Sequence, residues 1–196
     1  MFLFALEAAF EFLVPCYAPR YAAFGGAAAA SATGISEGSL INPAHLAFIK
    51  RGEASLTMGS WIAGSFPFHV YVGYPLEQIS VCFHYMSLSY GEIEATELSE
   101  TGKVVPLEIS VQAADYLLAL SLARSFAVWK GRLGGGVNFK FFWESLYNKT
   151  QTGFAVDFGL NYFTLVKRRK LNAGLCISCL LYTSDAADDG ESVDLG

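Results

Sequence analysis

Charged residues and long apolar runs are both scarce in this sequence. Asp, Glu, Lys and Arg make up only 16% of the chain, against about a quarter in an ordinary soluble domain. Hydrophobic residues nevertheless make up 53% and aromatic residues 15%. After residue 18 no apolar run reaches the roughly 20 residues that a membrane helix needs. The composition therefore favours apolar strands, either in a transmembrane β-barrel or in a soluble antiparallel barrel or sandwich.

The sequence also lacks a recognisable catalytic or metal-binding motif. His45, His69 and His84 lie far apart, and no paired acid or serine stands beside them at motif spacing. The glycines at 134 to 136 fall within a strand pattern, where they indicate close packing or a bend and not a phosphate loop. We therefore predict that the chain is not an enzyme and has no cofactor and no metal site.

The C-terminal residues 179 to 196 differ abruptly from the rest, with five acids and no base. They resemble one reading frame of a common sequencing adapter, and we predict an adapter-derived artefact that follows the interrupted first part of a longer protein. A genuine acidic disordered tail is the alternative. Removing the five acids from the 18 leaves 13, which balance the 13 Lys and Arg. A chain without net charge gives no reason to expect a nucleic-acid partner.

Residues 1 to 18 have the apolar middle of an export signal and small residues at Cys16 and Ala18, where a signal peptidase would read them. No Lys or Arg precedes the apolar stretch, and Glu7 and Glu11 interrupt it. We predict an atypical or truncated signal peptide, with an amphipathic helix as the alternative. Of the four cysteines, Cys82 and Cys176 lie outside both terminal segments, and the sequence does not establish whether they pair.

Two runs, 132 to 147 and 151 to 166, alternate between large apolar residues and small or polar ones. In the second run Phe154, Phe158 and Leu160 oppose Asp157 and Asn161, which is the period of a strand and not of a helix. The short connector at 148 to 150 predicts a hairpin. The same alternation predicts five further strands, at 53 to 62, 68 to 74, 78 to 97, 107 to 127 and 171 to 177, with a polar loop at 100 to 106.

The lengths and faces of these strands favour a membrane barrel over a soluble one. Several exceed the roughly 9 to 11 residues that cross a bilayer, and their polar sides are rich in Gly, Ala and Ser, which suits a crowded lumen better than a solvent face. Aromatic residues near strand ends match an interfacial girdle. They are Trp61, Tyr90, Trp129, Trp143, Tyr147 and Tyr162.

The segment from 19 to 51 is rich in small residues and lacks strand alternation. It resembles the opening of the FadL-like outer-membrane barrels, including PorV-type proteins and related uncharacterised spirochaetal families. In that pattern an arginine and a Gly-Gly-Ala run precede an Asn-Pro-Ala-x-Leu-Ala box, although here His45 replaces the usual glycine. The residues that carry this hatch motif are Arg20, Gly25, Gly26, Asn42, Pro43 and Ala44.

This resemblance implies an all-β fold: an antiparallel transmembrane β-barrel of about 14 strands, of which residues 52 to 178 supply about seven, with a small N-terminal hatch-like segment at 19 to 51. It implies a bacterial outer-membrane protein that transports hydrophobic small molecules such as long-chain fatty acids. A PorV-type barrel that serves secretion or assembly is the first alternative, and a soluble lipid-binding β-barrel is the second. The implied partners are outer-membrane lipid, a hydrophobic ligand and, for the PorV-type reading, secretion-system proteins.

The polar sides of the predicted strands supply candidates for residues that face the lumen. These side chains could line a conduit or hold the N-terminal segment, or they could satisfy one another across the strands, because buried polar groups need partners in any protein. The candidates are His84, Asp115, Asn138, Lys140, Asp157 and Asn161.

Overall fold

The computed structural model is an all-β protein in which seven antiparallel strands form one curled, half-barrel sheet. It describes residues 21, 23, 28–30, 36–98, 104–146, 149–167 and 169–184. The strands pair in chain order, each with the next. Their bounds are β1 Glu53–Met58, β2 Phe66–Pro75, β3 Ser80–Leu98, β4 Val104–Val128, β5 Gly131–Leu146, β6 Lys149–Val166 and β7 Arg169–Ser184.

The prediction of an all-β antiparallel fold is confirmed, while several strand ends differ from the expected positions. β1 ends at Met58 because residues 59 to 65 form a loop, in which the Trp61 N–H donates to the Ser65 carbonyl at 2.8 Å. β4 begins at Val104, inside the predicted polar loop, because Leu98 pairs with Val104 across the β3–β4 hairpin. The predicted boundary after residue 178 lies within β7.

The alternation of each strand separates an inner from an outer face. On β6 the inner residues Asp157 and Asn161 are fully buried, whereas Phe154 and Phe158 on the outer face are 56% and 51% exposed. The hairpin register continues this arrangement onto β5, since Asn138 pairs with Asp157 and Val137 with Phe158. The predicted opposition of these side chains in the β5–β6 hairpin is thus present in the structure.

A short segment, Ser36 to Ile49, packs against the inner face of the sheet; we call it the inner segment. It consists of two 3₁₀-helices, η1 Ser36–Leu40 and η2 Pro43–Phe48; a third such turn, η3, spans Ile62–Gly64. The buried apolar residues of the inner segment contact inner-face residues of β2, β3 and β4. This cluster comprises Leu46, Ala47, Ile49, Tyr71, Cys82 and Ala123.

The two ends of the sheet differ in length and charge. The β2–β3, β4–β5 and β6–β7 turns share one end, because alternate turns of an antiparallel meander lie together. We call it the basic end, because it carries the exposed residues Lys50, Arg51, Lys130, Lys167 and Lys170. At the opposite end β3 and β4 remain paired as far as Leu98 and Val104, although β2 pairs with β3 only as far as Ser89. The β3–β4 hairpin therefore projects beyond its neighbours. None of the helices in the described ranges has the length and apolarity needed to cross a bilayer.

Candidate functional site

The candidate site is the junction between the inner segment and the inner face of the sheet. Asn42 precedes Pro43, which disfavours helical geometry before it, and Asn42 is accordingly extended at φ −144° and ψ 109°. Its side-chain oxygen accepts the Ala44 N–H at 3.0 Å and so caps η2. Its amide nitrogen lies 2.7 Å from the Ala29 carbonyl, 3.3 Å from that of Leu160 and 3.4 Å from that of Leu175. One side chain thus joins the inner segment to β6 and β7.

Glycines on the inner face allow the inner segment to approach the sheet closely. A Cβ at Gly136 would lie 2.5 Å from the carbonyl carbon of Pro43, and one at Gly134 would lie 2.8 Å from the Phe48 ring. A Cβ at Gly159 would collide with the Asn42 side-chain oxygen. The glycines at 134 and 136 therefore mark close packing, one of the two roles that the sequence suggested.

A buried ion pair lies beneath the inner segment. The Lys140 ammonium is 2.6 Å from Asp157 Oδ2, and the two side chains are 7% and 0% exposed. Asn138 donates both to Asp157 Oδ2 at 3.0 Å and to the Ser39 carbonyl at 2.7 Å. The charge of Asp157 is thus balanced by Lys140, and Asn138 connects the pair to the inner segment.

Two histidines form a second connection to Ser39, in which His84 contacts the serine and His69 contacts His84. His69 Nε2 lies 3.1 Å from His84 Nδ1, with the rings stacked at 5.4 Å between centroids. His84 Nε2 lies 2.7 Å from the Ser39 hydroxyl. This order of hydroxyl, imidazole and imidazole matches a nucleophile, a base and an orienting group. Ser39 is fully buried, however, so no substrate reaches its oxygen while the inner segment is in place. In the structure these hydrogen bonds hold the Ser39 side chain in place.

His45 fixes the inner segment internally. Its Nδ1 lies 3.1 Å from the Gly38 carbonyl and its Nε2 lies 3.2 Å from the Ala29 carbonyl. Its ring stacks on Tyr21 at a centroid distance of 6.3 Å. Burial lowers the pKa of His45 below its ordinary value of 6.5, although the two carbonyl contacts oppose that shift. His45 thus connects Gly38, Ala29 and Tyr21.

The structure brings four of the six predicted lumen-facing residues into one cluster. His84 and Asn138 bind Ser39, Asn138 also binds Asp157, and Asp157 pairs with Lys140. Asp115 is buried elsewhere, and its carboxylate accepts the Tyr90 hydroxyl at 2.5 Å. Asn161 is also fully buried, and neither amide atom has a hydrogen-bond partner within the described ranges. All six side chains lie on the buried side of their strands, but their part in a conduit stays a prediction.

Of the hatch motif, Asn42, Pro43 and Ala44 are buried in the inner segment, whereas Arg20, Gly25 and Gly26 lie outside the described residues. Sequence reasoning missed Ser39 and His69. His69 could have been found, because a hairpin turning at Pro75 to Ser80 pairs His69 with Met86 and brings His84 diagonally next to it. In the described ranges, no three His, Cys, Asp or Glu residues converge as metal ligands would.

Comparison of the whole chain with protein-family models, with curated proteins and with solved structures finds no match.

Proposed function

We propose that this chain supplies part of a bacterial outer-membrane β-barrel of about 14 strands that transports hydrophobic small molecules such as long-chain fatty acids. In this proposal the outer face contacts lipid, the inner face lines the lumen, and the inner segment closes it. The observation that carries the proposal is the combination of an exposed apolar outer face with a buried polar inner face beneath a bonded inner segment.

The outer face supports contact with lipid. Large apolar side chains are exposed along its whole width, an arrangement that water disfavours. They include Leu56, Met58, Val72, Phe83, Leu120, Phe139, Phe154, Phe158, Leu160, Leu175 and Ile177.

Aromatic residues border this apolar band on both sides, as they do in membrane barrels. Tyr116 stacks on Trp143, with 4.9 Å between ring centroids, toward the end at which the β3–β4 hairpin projects. Phe126 lies near the basic end. The stretch of β4 from Tyr116 to Phe126 is about 33 Å long at about 3.3 Å per residue. A strand tilt of about 40° reduces this length to about 25 Å, the usual height of the apolar band. The outer face of this stretch also carries the exposed Arg124 next to Phe126, and the Arg124 guanidinium lies 5.2 Å from the centre of that ring.

The inner face counts against the soluble lipid-binding alternative. Such a barrel would direct apolar side chains inward and polar ones into water. In this chain the buried Lys140 and Asp157 pair lies inside, while Phe139 and Phe158 are about half exposed outside.

The inner segment favours gated transport over an open pore, because its bonds to the sheet are few and specific. A reversible covalent link provides the test. Cys82 is a buried free thiol on β3, and its side chain lies near that of Ser39. In Ser39→Cys the two thiols should form a disulfide on oxidation. Uptake of labelled oleate by cells producing the protein should stop on oxidation and recover on reduction.

Ser39→Ala supplies the control, since it removes the same hydroxyl but cannot form the link. Equal uptake by oxidised and reduced Ser39→Cys, with the disulfide demonstrated by mass spectrometry, would contradict a gating role for the inner segment. Uptake no greater than in cells without the protein would contradict transport altogether.

The projecting β3–β4 hairpin favours the PorV-type alternative, a docking partner in secretion or assembly. Its paired backbone extends past the neighbouring strands, from Glu92 opposite Gln112 to Leu98 opposite Val104. Replacing residues 92 to 111 by a short turn separates the two functions. A transporter should keep its oleate uptake, whereas a secretion component should lose export of its client, measured as secreted protein in the medium.

A further inference from the structure

The sheet has a notch at its basic end, next to the end of the inner segment. β3 begins at Ser80, which pairs with Ala123, so residues 124 to 128 of β4 pair only with β5. The β2–β3 turn borders the open side, and the space between is a cavity of about 300 Å³ that Ala47 and Ile49 of the inner segment also line. This volume lies at the small end of the roughly 300 to 1,000 Å³ typical of ligand pockets. The notch therefore suits the head of a long-chain molecule and not the whole molecule.

The inner face supplies one arginine to the notch. Ala123 is buried on the inner face, and the alternation of β4 places Ser125 on the same face. Arg132 of β5 lies there too, and its Nη2 donates to the Ser125 hydroxyl at 2.5 Å. Arg124 also borders the notch, but its side chain is on the outer face, with the guanidinium 5.2 Å from the centre of the Phe126 ring. Among the residues that line the cavity, Arg132 is therefore the cation on the inner side.

Arg132 has donors left for an anion. A guanidinium carries five N–H donors in a planar fork that matches the two oxygens of a carboxylate. Glu77 lines the same cavity, but within the described ranges no carboxylate lies within ion-pair distance of Arg132. Arg132 is also exposed, so the donors that Ser125 does not use are accessible.

The surroundings of the notch favour an anion over a cation. Exposed lysine and arginine side chains predominate at the basic end. The acids described at this end are Glu53 and Glu77, and Glu53 already accepts the Ser36 N–H at 2.8 Å. A surface of this kind attracts anions over about a Debye length, roughly 8 Å at physiological salt.

Apolar side chains line the notch beside this arginine. Ile49 belongs to the buried cluster in which the inner segment packs on the sheet. Leu76 and Ile79 of the β2–β3 turn are 50% and 39% exposed, and all three side chains line the cavity. A guanidinium next to accessible apolar side chains fits a ligand that has an anionic head and a hydrocarbon chain.

We propose that the notch binds the carboxylate of the hydrophobic cargo, with Arg132 as the donor and the adjoining methylene groups against Ile49, Leu76 and Ile79. The inference rests on the proposed function, because the ligand is the cargo of that function. It assigns to Arg132 the selection of a carboxylate over an uncharged chain of the same length. It also directs the head of the bound cargo toward the basic end.

Calorimetric titration of the full chain in a non-ionic detergent tests this site. Laurate and dodecanol are the probes, because their chains have the same length and only laurate is charged. The unaltered chain should bind laurate more tightly than dodecanol. Arg132→Gln should weaken laurate binding about ten-fold, because a charge-assisted hydrogen bond is lost, and should leave dodecanol binding unchanged. Equal affinity of the unaltered chain for the two probes would overturn the site.

Arg124→Gln is the matched control, because it removes the same kind of charge at the same end of the sheet but from the outer face. It should leave laurate binding unchanged, and a loss as large as that for Arg132→Gln would overturn the assignment of the notch. Glu77→Gln removes a negative charge from the cavity and should strengthen laurate binding. Weaker binding by Glu77→Gln would indicate a zwitterionic ligand and would overturn the carboxylate assignment. Displacement of laurate by inorganic phosphate at constant ionic strength would overturn it as well, because the site would then take a free anion without a chain.

The proposed function and this inference fail in different ways. If laurate binding depends on Arg132 but oleate uptake does not exceed that of cells without the protein, transport is contradicted and the carboxylate site stands. If uptake is present and Arg132→Gln binds laurate like the unaltered chain, transport stands and the site is overturned. Unchanged tryptophan fluorescence verifies that each variant is folded.

Discussion

At the scale of single residues, close packing of the inner segment on the inner face depends on glycines, because the inner segment occupies the space where their side chains would be. Gly136→Ala would bring a methyl group to 2.5 Å from the Pro43 carbonyl carbon, whereas Gly135→Ala on the outer face would meet only Leu160 Cδ2 at 3.7 Å. We expect Gly136→Ala to lower the free energy of unfolding by about 1–3 kcal/mol. Urea titration in detergent micelles measures the change. Equal effects of the two substitutions would contradict the packing described.

The buried ion pair allows a second prediction. Lys140→Met would remove the ammonium that lies 2.6 Å from the fully buried Asp157, and we expect a loss of about 3–5 kcal/mol in the free energy of unfolding. Lys149→Met, at an exposed position, should change it by less than about 0.5 kcal/mol. The double variant Lys140→Met with Asp157→Leu should recover much of the loss. A single variant as stable as the unaltered chain would mean that the pair does not form.

His45 predicts how stability depends on pH. Because burial lowers its pKa in the folded chain, the unfolded chain binds the proton more readily. The contribution of His45 is therefore complete above its ordinary pKa of 6.5 and declines as the pH falls below that value. Urea midpoints at pH 8 and pH 5 should differ more for the unaltered chain than for His45→Gln. His69 and His84 are present in both chains, so their effects cancel in the comparison. Identical pH dependence would contradict the prediction.

The sequence could predict on which face of a strand each residue lies, but not which distant residues it contacts. The opposition of Asp157 and Phe158 follows from the local period of a strand. The position of Ser39 does not, because its bonds to His84 and Asn138 span 45 and 99 positions. The Asn42 cap was predictable from its following proline, whereas the bonds of Asn42 to β6 and β7 were not.

At the scale of secondary-structure elements, the pairing register of a hairpin determines strand ends that the local sequence pattern does not predict. The pairing of Leu98 with Val104 extends β4 into a stretch whose polar sequence predicted a loop. Pro106 is accommodated there opposite Thr96, next to a register shift between Glu94 and Thr96. Proline within a sheet is usual at such irregularities, because it cannot donate to the ladder.

The projecting part of the β3–β4 hairpin should behave independently of the sheet. From Glu92 opposite Gln112 onwards its strands pair only with each other, so we expect its amides to exchange with solvent faster than those of β5 and β6. Hydrogen exchange with mass spectrometry measures the difference. Protection near 93 to 97 equal to that near 138 to 142 would indicate that something else covers the hairpin.

At the scale of the whole molecule, the outer face should respond to charge according to depth. Phe158 lies near the middle of β6 and Val166 lies at its end, and both are exposed on the same face. In a bilayer Phe158→Lys should cost about 2–4 kcal/mol, and Val166→Lys about 0–1 kcal/mol. Urea titration of the chain reconstituted in vesicles measures both. Small and equal effects would indicate that this face lies in water.

The bonds of Asn42 also determine the order in which the chain can fold. Its amide lies near carbonyls that follow it by 118 and 133 positions, on β6 and β7. The inner segment is therefore synthesised before β6 and β7, and these bonds of Asn42 can form only after both strands have been made. Contacts of such large sequence separation are slow to form, because the loop entropy is lost before the contact is gained. We therefore expect the contacts of Asn42 with β6 and β7 to form later in folding than the contacts between neighbouring strands.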